Sequence, residues 1–188
     1  SFNDISSPGL VRLNNDGTVD SSFAVGFGAN GPVYAIAVYP TNSIDAGKLL
    51  IGGAFTNFNG TPVGRLARLN ADGSVDMNFT ANFGLGAGGD VRAIVIQPDG
   101  GVLVGGTFTN FNGAALNHIV RLNADGSVDT NFSAKVGAGA NGVVEDIALQ
   151  ADNRIVLVGQ FTQASGVTRN HITRLKPDGS VDPTINFG

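Results

Sequence analysis

At 188 residues the chain is long enough to bury a sizeable core and short enough to be one continuous domain. Its net charge of −4, with only eight Arg and three Lys scattered along it, excludes the basic footprint that nucleic acid or an anionic membrane surface demands. No Cys is present, which excludes disulfides, thiolate metal sites and a Cys nucleophile, and no apolar run approaches the ~20 residues that span a bilayer. Charged residues make up 14%, against roughly 25% in ordinary soluble proteins. Glycine, at 28 residues, and many Asn, Ser and Thr take their place, and Glu145 is the single Glu. That is a poor recipe for helices and a good one for short strands with tight turns. The chain opens Ser-Phe-Asn, with no Met or signal peptide, and so reads as a piece of something larger.

Residues 1–23 hold the first copy of a nine-residue phrase, RLNNDGTVD at Arg12 to Asp20. It recurs as RLNADGSVD at 68–76 and at 121–129, and as RLKPDGSVD at 174–182, with starts 56, 53 and 53 residues apart. Between the copies lies a repeated pair of apolar segments. The first runs Val33 to Val38, with counterparts Val91 to Ile96 and Val144 to Leu149; partial alternation and β-branching predict strands. The second runs Lys48 to Phe55, matched by Gly101 to Phe108 and Arg154 to Phe161. Gln97-Pro-Asp-Gly100 joins the two in its shortest form, and Pro before Asp-Gly is turn chemistry. The first copy carries an insertion at Thr41 to Ala46, which a hairpin tip tolerates.

A third strand is predicted at Leu66 to Leu69, with Ile119 to Leu122 and Ile172 to Leu175 as counterparts. A fourth is predicted from Ser74 to Phe79, with Phe132 equivalent to Phe79. The Asn-Ala-Asp-Gly between them is a hairpin signal with Gly in the left-handed position. Four short strands per unit of about 53 residues predict an all-β fold, a β-propeller of four-stranded antiparallel blades. The division is 1–23 as the back half of a blade, then blades at 24–79, 80–132 and 133–188: three full blades plus a half. In that phasing Phe2 falls opposite Phe58, and both ends of the chain offer the same two segments. They cannot complete one blade between them, so the expectation is a section of a longer propeller chain, or a homo-oligomer that pairs its open edges.

The pattern of Pro-Asp-Gly, an aliphatic strand, Gly-Gly-x-Phe-Thr and then the Arg-Leu-Asn hairpin resembles the delta-60 repeat family over essentially the whole chain. The Gly-Gly pair closing a strand is also similar to kelch repeats, but the Trp those expect is absent. The delta-60 resemblance implies β-propeller arrays in large exported or surface proteins of bacteria, with no assigned chemistry.

Candidate chemistry is sparse. Asn70, Asp72, Ser74 and Asp76 alternate oxygens as a calcium loop would, but Arg68 stands where the first acidic ligand belongs and Phe79 where a bidentate Glu belongs. Asp72-Gly73 and Asp125-Gly126 therefore read as turns. Arg68 with Asp76, and Arg121 with Asp129, read as cross-strand ion pairs repeated in every blade; an anion-recruiting row of Arg is the competing reading. His118 and His171 share a repeat position, but Arg65 holds it in the preceding blade and zinc needs three or four ligands, so no metal and no cofactor are expected. Glu145 and Asp146 form the one acidic pair and lie on a strand that lines the channel in most propellers. Neighbouring strand residues point to opposite faces, so a glycosidase pair would need a third acid such as Asp90. Phe58 and Phe111, in Asn-rich loops, are candidate surface platforms for a sugar, whereas Phe55 and Phe108 read as core. The sequons at Asn59, Asn78 and Asn131 fall within the repeat motifs and are incidental to it.

The expected function is a non-enzymatic structural or interaction module: an extracellular or cell-surface bacterial propeller that presents loops to a protein or polysaccharide and self-assembles through open blade edges. The alternative is a carbohydrate-active enzyme, a glycosidase or lyase, with an acidic site on the channel rim.

Overall fold

The computed structural model describes residues 9–24 and 26–185. The expected pairing of Phe2 with the Phe58 position lies outside the described residues. Three similar units follow one another. The first contains β1 (Val33–Val38), β2 (Leu49–Gly53), β3 (Asn57–Phe58), β4 (Thr61–Pro62), β5 (Leu66–Leu69) and α1 (Met77–Phe83). The second contains β6 (Val91–Ile96), β7 (Val102–Gly106), β8 (Ile119–Leu122) and α2 (Thr130–Val136). The third contains β9 (Val144–Leu149), β10 (Ile155–Gly159), β11 (Gln163–Ala164), β12 (Val167–Thr168) and β13 (Ile172–Leu175). Each unit makes one antiparallel sheet, β1-β2-β5, β6-β7-β8 and β9-β10-β13; β3-β4 and β11-β12 add small hairpins. The fold is thus all-β apart from two short helices, and among the described residues no sheet closes on itself.

The fourth strand is the point where the structure departs from expectation. Only one residue of that segment pairs, Val75 with Leu69, and likewise Val128 with Leu122 and Val181 with Leu175. In the first two units a helix follows at once. Asp76 takes an extended backbone and its side chain accepts from the Phe79 amide at 3.3 Å; Asp129 does the same for Phe132 at 3.0 Å. An N-cap carboxylate satisfies an otherwise orphaned amide, and this local bond outcompetes the ladder. The turn also places Phe79 and Phe83 on one helical face, where their rings meet edge-on at 5.8 Å.

The core lies between sheets. Leu50, Leu66, Phe79 and Phe83 of the first unit pack against Val91, Ile94, Val102 and Val104 of the second. Ala93, Leu103, Ile119 and Phe132 pack in the same way against Val144, Ile147, Ile155 and Leu157 of the third. The first strands β1, β6 and β9 lie side by side through the stack. A register shift at the start of each first strand, between Val33 and Ala35 and between Val91 and Ala93, sets Val91 and Ile94 together against the preceding sheet.

Candidate functional site

The repeated Arg is the centre of each unit's hairpin. Arg68 Nη2 lies 2.8 Å from Asp76 Oδ2 across the hairpin, and Arg121 Nη2 lies 2.5 Å from Asp129 Oδ2. Arg12 and Arg174 pair with Asp20 and Asp182 at 2.8 and 2.7 Å. A second contact runs between units. Arg12 Nη1 donates to the Ala71 carbonyl at 2.7 Å, Arg68 Nη1 to Ala124 at 3.1 Å, and Arg121 Nη1 to Pro177 at 3.0 Å. Those three carbonyls occupy the same position of successive hairpins. The guanidinium carbon also sits over a phenyl ring one turn on, Arg12 over Phe23 at 4.5 Å, Arg68 over Phe79 at 4.3 Å and Arg121 over Phe132 at 4.8 Å. Arg12, Arg68 and Arg121 each latch one hairpin to the next, with their forked donors already spent. Arg68 and Asp76 are buried, not solvated as a surface pair would be.

The electrostatics follow from that burial. Desolvation works against the charged form of Asp76, yet the Lys48 ammonium, the Phe79 amide and Arg68 together hold its carboxyl below the usual range. Asp129 is held low in the same way, burial opposing and the Phe132 amide and Arg121 prevailing. The turn acids Asp72 and Asp125 are lowered by the hydroxyl and amide of Ser74 and Ser127, whose amides donate at 2.9 Å. Gly126 completes its turn at φ 96°, where a Cβ would stand 2.6 Å from the Phe79 carbonyl of the preceding unit.

The remaining expected site residues are dispersed. Phe58 and Phe111 are 0% exposed, which corrects their assignment as surface platforms: each packs edge-on with Phe55 or Phe108 at 6.5 and 6.0 Å. A ring without accessible surface cannot stack on a sugar. The loop Asn takes the solvent position instead, because Asn59 and Asn112 adopt left-handed backbones and turn the ring inward. Glu145 accepts from Gln160 Nε2 at 2.8 Å, whereas Asp146, exposed on the other side of β9, accepts from the Ile147 amide at 2.8 Å. Asp90 lies 3.9 Å from Arg65 and 3.6 Å from Arg92. These three acids do not converge. His118 and His171 adopt φ of 64° and 65°, and their Nδ1 atoms lie 3.0 and 3.1 Å from the carbonyls of Gly106 and Gly159. Among the described residues no three His, Asp or Glu gather as a metal site would require.

Two features escaped the reading of the sequence. The insertion in the first unit delivers Asp45, which lies 3.1 Å from Arg68 and 2.8 Å from Lys48, and so joins a partly buried four-charge network with Asp76. The second is how the linker entering each unit is held: the Gly-rich run from Gly84 to Gly89 reads from the sequence as a blade linker, and in Gly26-Phe27-Gly28, Gly84-Leu85-Gly86 and Gly137-Ala138-Gly139 every glycine has positive φ. Phe27 is 88% and Leu85 78% exposed, yet their amides are fixed by Asn59 Oδ1 at 3.2 Å and Asn112 Oδ1 at 3.1 Å. The Gly-x-Gly spacing and the repeated Phe-Asn-Gly were visible signals; that one ties down the other was not.

Stacked antiparallel sheets, hairpins latched to their neighbours and a repeat near 53 residues define a propeller-type repeat protein. Residues 1–23, 47–79, 97–132 and 150–184 match the DUF5122 β-propeller family, described as a domain of unknown function, and the chain belongs to that family. No curated protein matches the chain. Among the described residues no helix is long and apolar enough to cross a membrane.

Proposed function

We propose that this chain is a non-enzymatic interaction module of a bacterial surface or secreted protein, presenting the Gly-x-Gly edge of its propeller repeats to a protein or polysaccharide. The supporting observation is the pair Phe27 and Leu85. Both occupy one repeat position, both are almost fully exposed, and both are held by a side-chain hydrogen bond to a neighbouring loop. An exposed apolar side chain on a pre-ordered loop contributes nothing to the core, and a partner that covers it gains contact without the entropy of ordering the loop. The scattered acids Glu145, Asp146 and Asp90 do not favour the carbohydrate-active enzyme. The likeness to delta-60 repeats favours the exported setting.

The test uses labelled protein on a bacterial glycan array and on intact bacterial cells. F27S/L85S should keep the thermal melt of the wild type and bind at least about 10-fold more weakly, the loss of roughly 1.4 kcal/mol. Equal binding by the two proteins would refute this edge. Turnover of a glycan by the wild type would replace the reading with the enzymatic one. Self-association through blade edges depends on the two outermost sheet faces, and these differ.

A further inference from the structure

The sheets join by a bump and a notch. Val91 and Ile94 of β6 sit over Gly52 of β2, where a Cβ would lie 2.3 Å from Val91 Cγ1 and 2.9 Å from Ile94 Cδ1. Val144 and Ile147 of β9 sit over Gly105 of β7 in the same way, at 2.7 and 3.0 Å. Each notch glycine has a cross-strand partner facing the same neighbour: Ala35 opposite Gly52, and Ala93 opposite Gly105. The small pair Ala–Gly is therefore what lets the next sheet approach, because any larger side chain there would overlap the incoming Val and Ile.

In the third unit the same cross-strand pair is Asp146 and Val158. Both are exposed, Val158 at 36%, on the outer face of the β9-β10-β13 sheet. A further blade packed in the repeat geometry would drive its Val and Ile into the Val158 isopropyl group. It would also take the Asp146 carboxylate out of water, which is costly for an unpaired charge. The latch has changed at the same point. Arg174 Nη1 donates at 3.2 Å to Gln150 of its own unit, and Ile185 stands where Phe79 and Phe132 stack under the earlier arginines.

We propose that Asp146 and Val158 make the outer face of the third sheet a terminus of the stack, closed to any further blade joined in the geometry that links the first sheet to the second and the second to the third. Repeat arrays need such capping faces, polar or ill-fitting outward, to stop the stack. The opposite end has the reverse character. Ile36 of β1, the equivalent of Ile94, is 52% exposed, and Val38 beside it is exposed as well. The first sheet thus shows the bump residues of the repeat, and the third a filled notch. Ring closure and head-to-tail stacking in repeat register both require the filled notch to accept a bump, and both are therefore disfavoured.

The test extends the full chain by one blade in phase. A second copy of residues 130–182 is inserted after Asp182, carrying Leu157→Cys in the inserted copy only; Leu157 is buried between sheets, and the chain has no other thiol. A reference chain carries Leu157→Cys in the native unit without the insertion. On the unaltered face the inserted thiol should react with a disulfide reagent within about 10-fold of its rate in denaturant, as an undocked unit would. With Asp146→Ala and Val158→Gly in the original third unit, the inserted thiol should slow by at least about 100-fold, toward the reference. Protection of the inserted thiol on the unaltered face overturns the proposal, whether or not the double variant folds. An insert exposed on both faces overturns the assignment to this pair.

Discussion

At the scale of single residues, the informative group is the latch Arg. In the first unit it satisfies Asp76 and Asp45, donates to a carbonyl of the next hairpin and lies flat on Phe79, all while buried. Lysine could make one of those contacts but not the set, since only a planar fork bonds edge-on and stacks face-on together. The acid partner carries a pH signature. The Asp76 and Asp129 carboxyls have folded values below the usual range, so the stability they add is complete above the unfolded value of about 3.9 and is lost as pH falls through the lower folded values. The urea midpoint should thus hold from about pH 7 to 5 and fall steeply below about pH 4, and Asp76→Asn should flatten that fall. A midpoint that declines equally in the variant would show that other groups carry the acid sensitivity.

At the scale of the element, the segment after each hairpin is decided by its cap. Asp129 accepts from the Phe132 amide with one oxygen and from Arg121 with the other, so helix α2 and the latch depend on the same carboxylate. Asp129→Ala removes the cap and leaves Arg121 unpaired, and should cost about 2–4 kcal/mol in urea unfolding, with loss of helical circular dichroism. Asp129→Asn keeps an acceptor for the amide and should cost about half as much. The alternation of Ser-Val-Asp at the segment's start reads as a strand, and one residue of it does pair. The helix was legible only in the i, i+4 spacing of Phe79 and Phe83 behind a capping residue, a pattern too short to outweigh the expectation of a fourth strand. Phe58 was misplaced for a related reason. Its Asn-rich loop looks solvated, and the inward turn of the ring depends on the left-handed backbone of Asn59 beside it.

At the scale of the whole molecule, stability is a sum of sheets and of the interfaces between neighbours. The β6-β7-β8 sheet is covered on both faces, by the first unit on one side and the third on the other. The third sheet has one covered face toward it; in the first, Leu10 and Phe23 also pack on the far side of β2 and β5, while β1 leaves Ile36 and Val38 exposed. Amide exchange should therefore be slowest in β7, with β1 and β10 opening at lower free energy. Uniform exchange across β1, β7 and β10 would mean that the stack unfolds as one cooperative block. The faces also set which associations are open: in the repeat register the notch of β10 is filled.

By itself the sequence determined the period, the three paired strands of each unit, the hairpin turns and the Arg and Asp that recur in them. These depend on local spacing, and four near-identical copies repeat the signal. It also displayed Asp146 and Val158 in plain view, where they looked like a stray acid and an ordinary strand residue. Only the tertiary structure showed that they are cross-strand partners, that the pair faces outward, and that its counterparts are the Ala and Gly on which the next sheet rests. The same holds for the latch, whose second acceptor lies 56 residues further on in two of the units. Contacts between repeats join residues far apart in the chain, and no local periodicity encodes which of two faces a neighbour will cover.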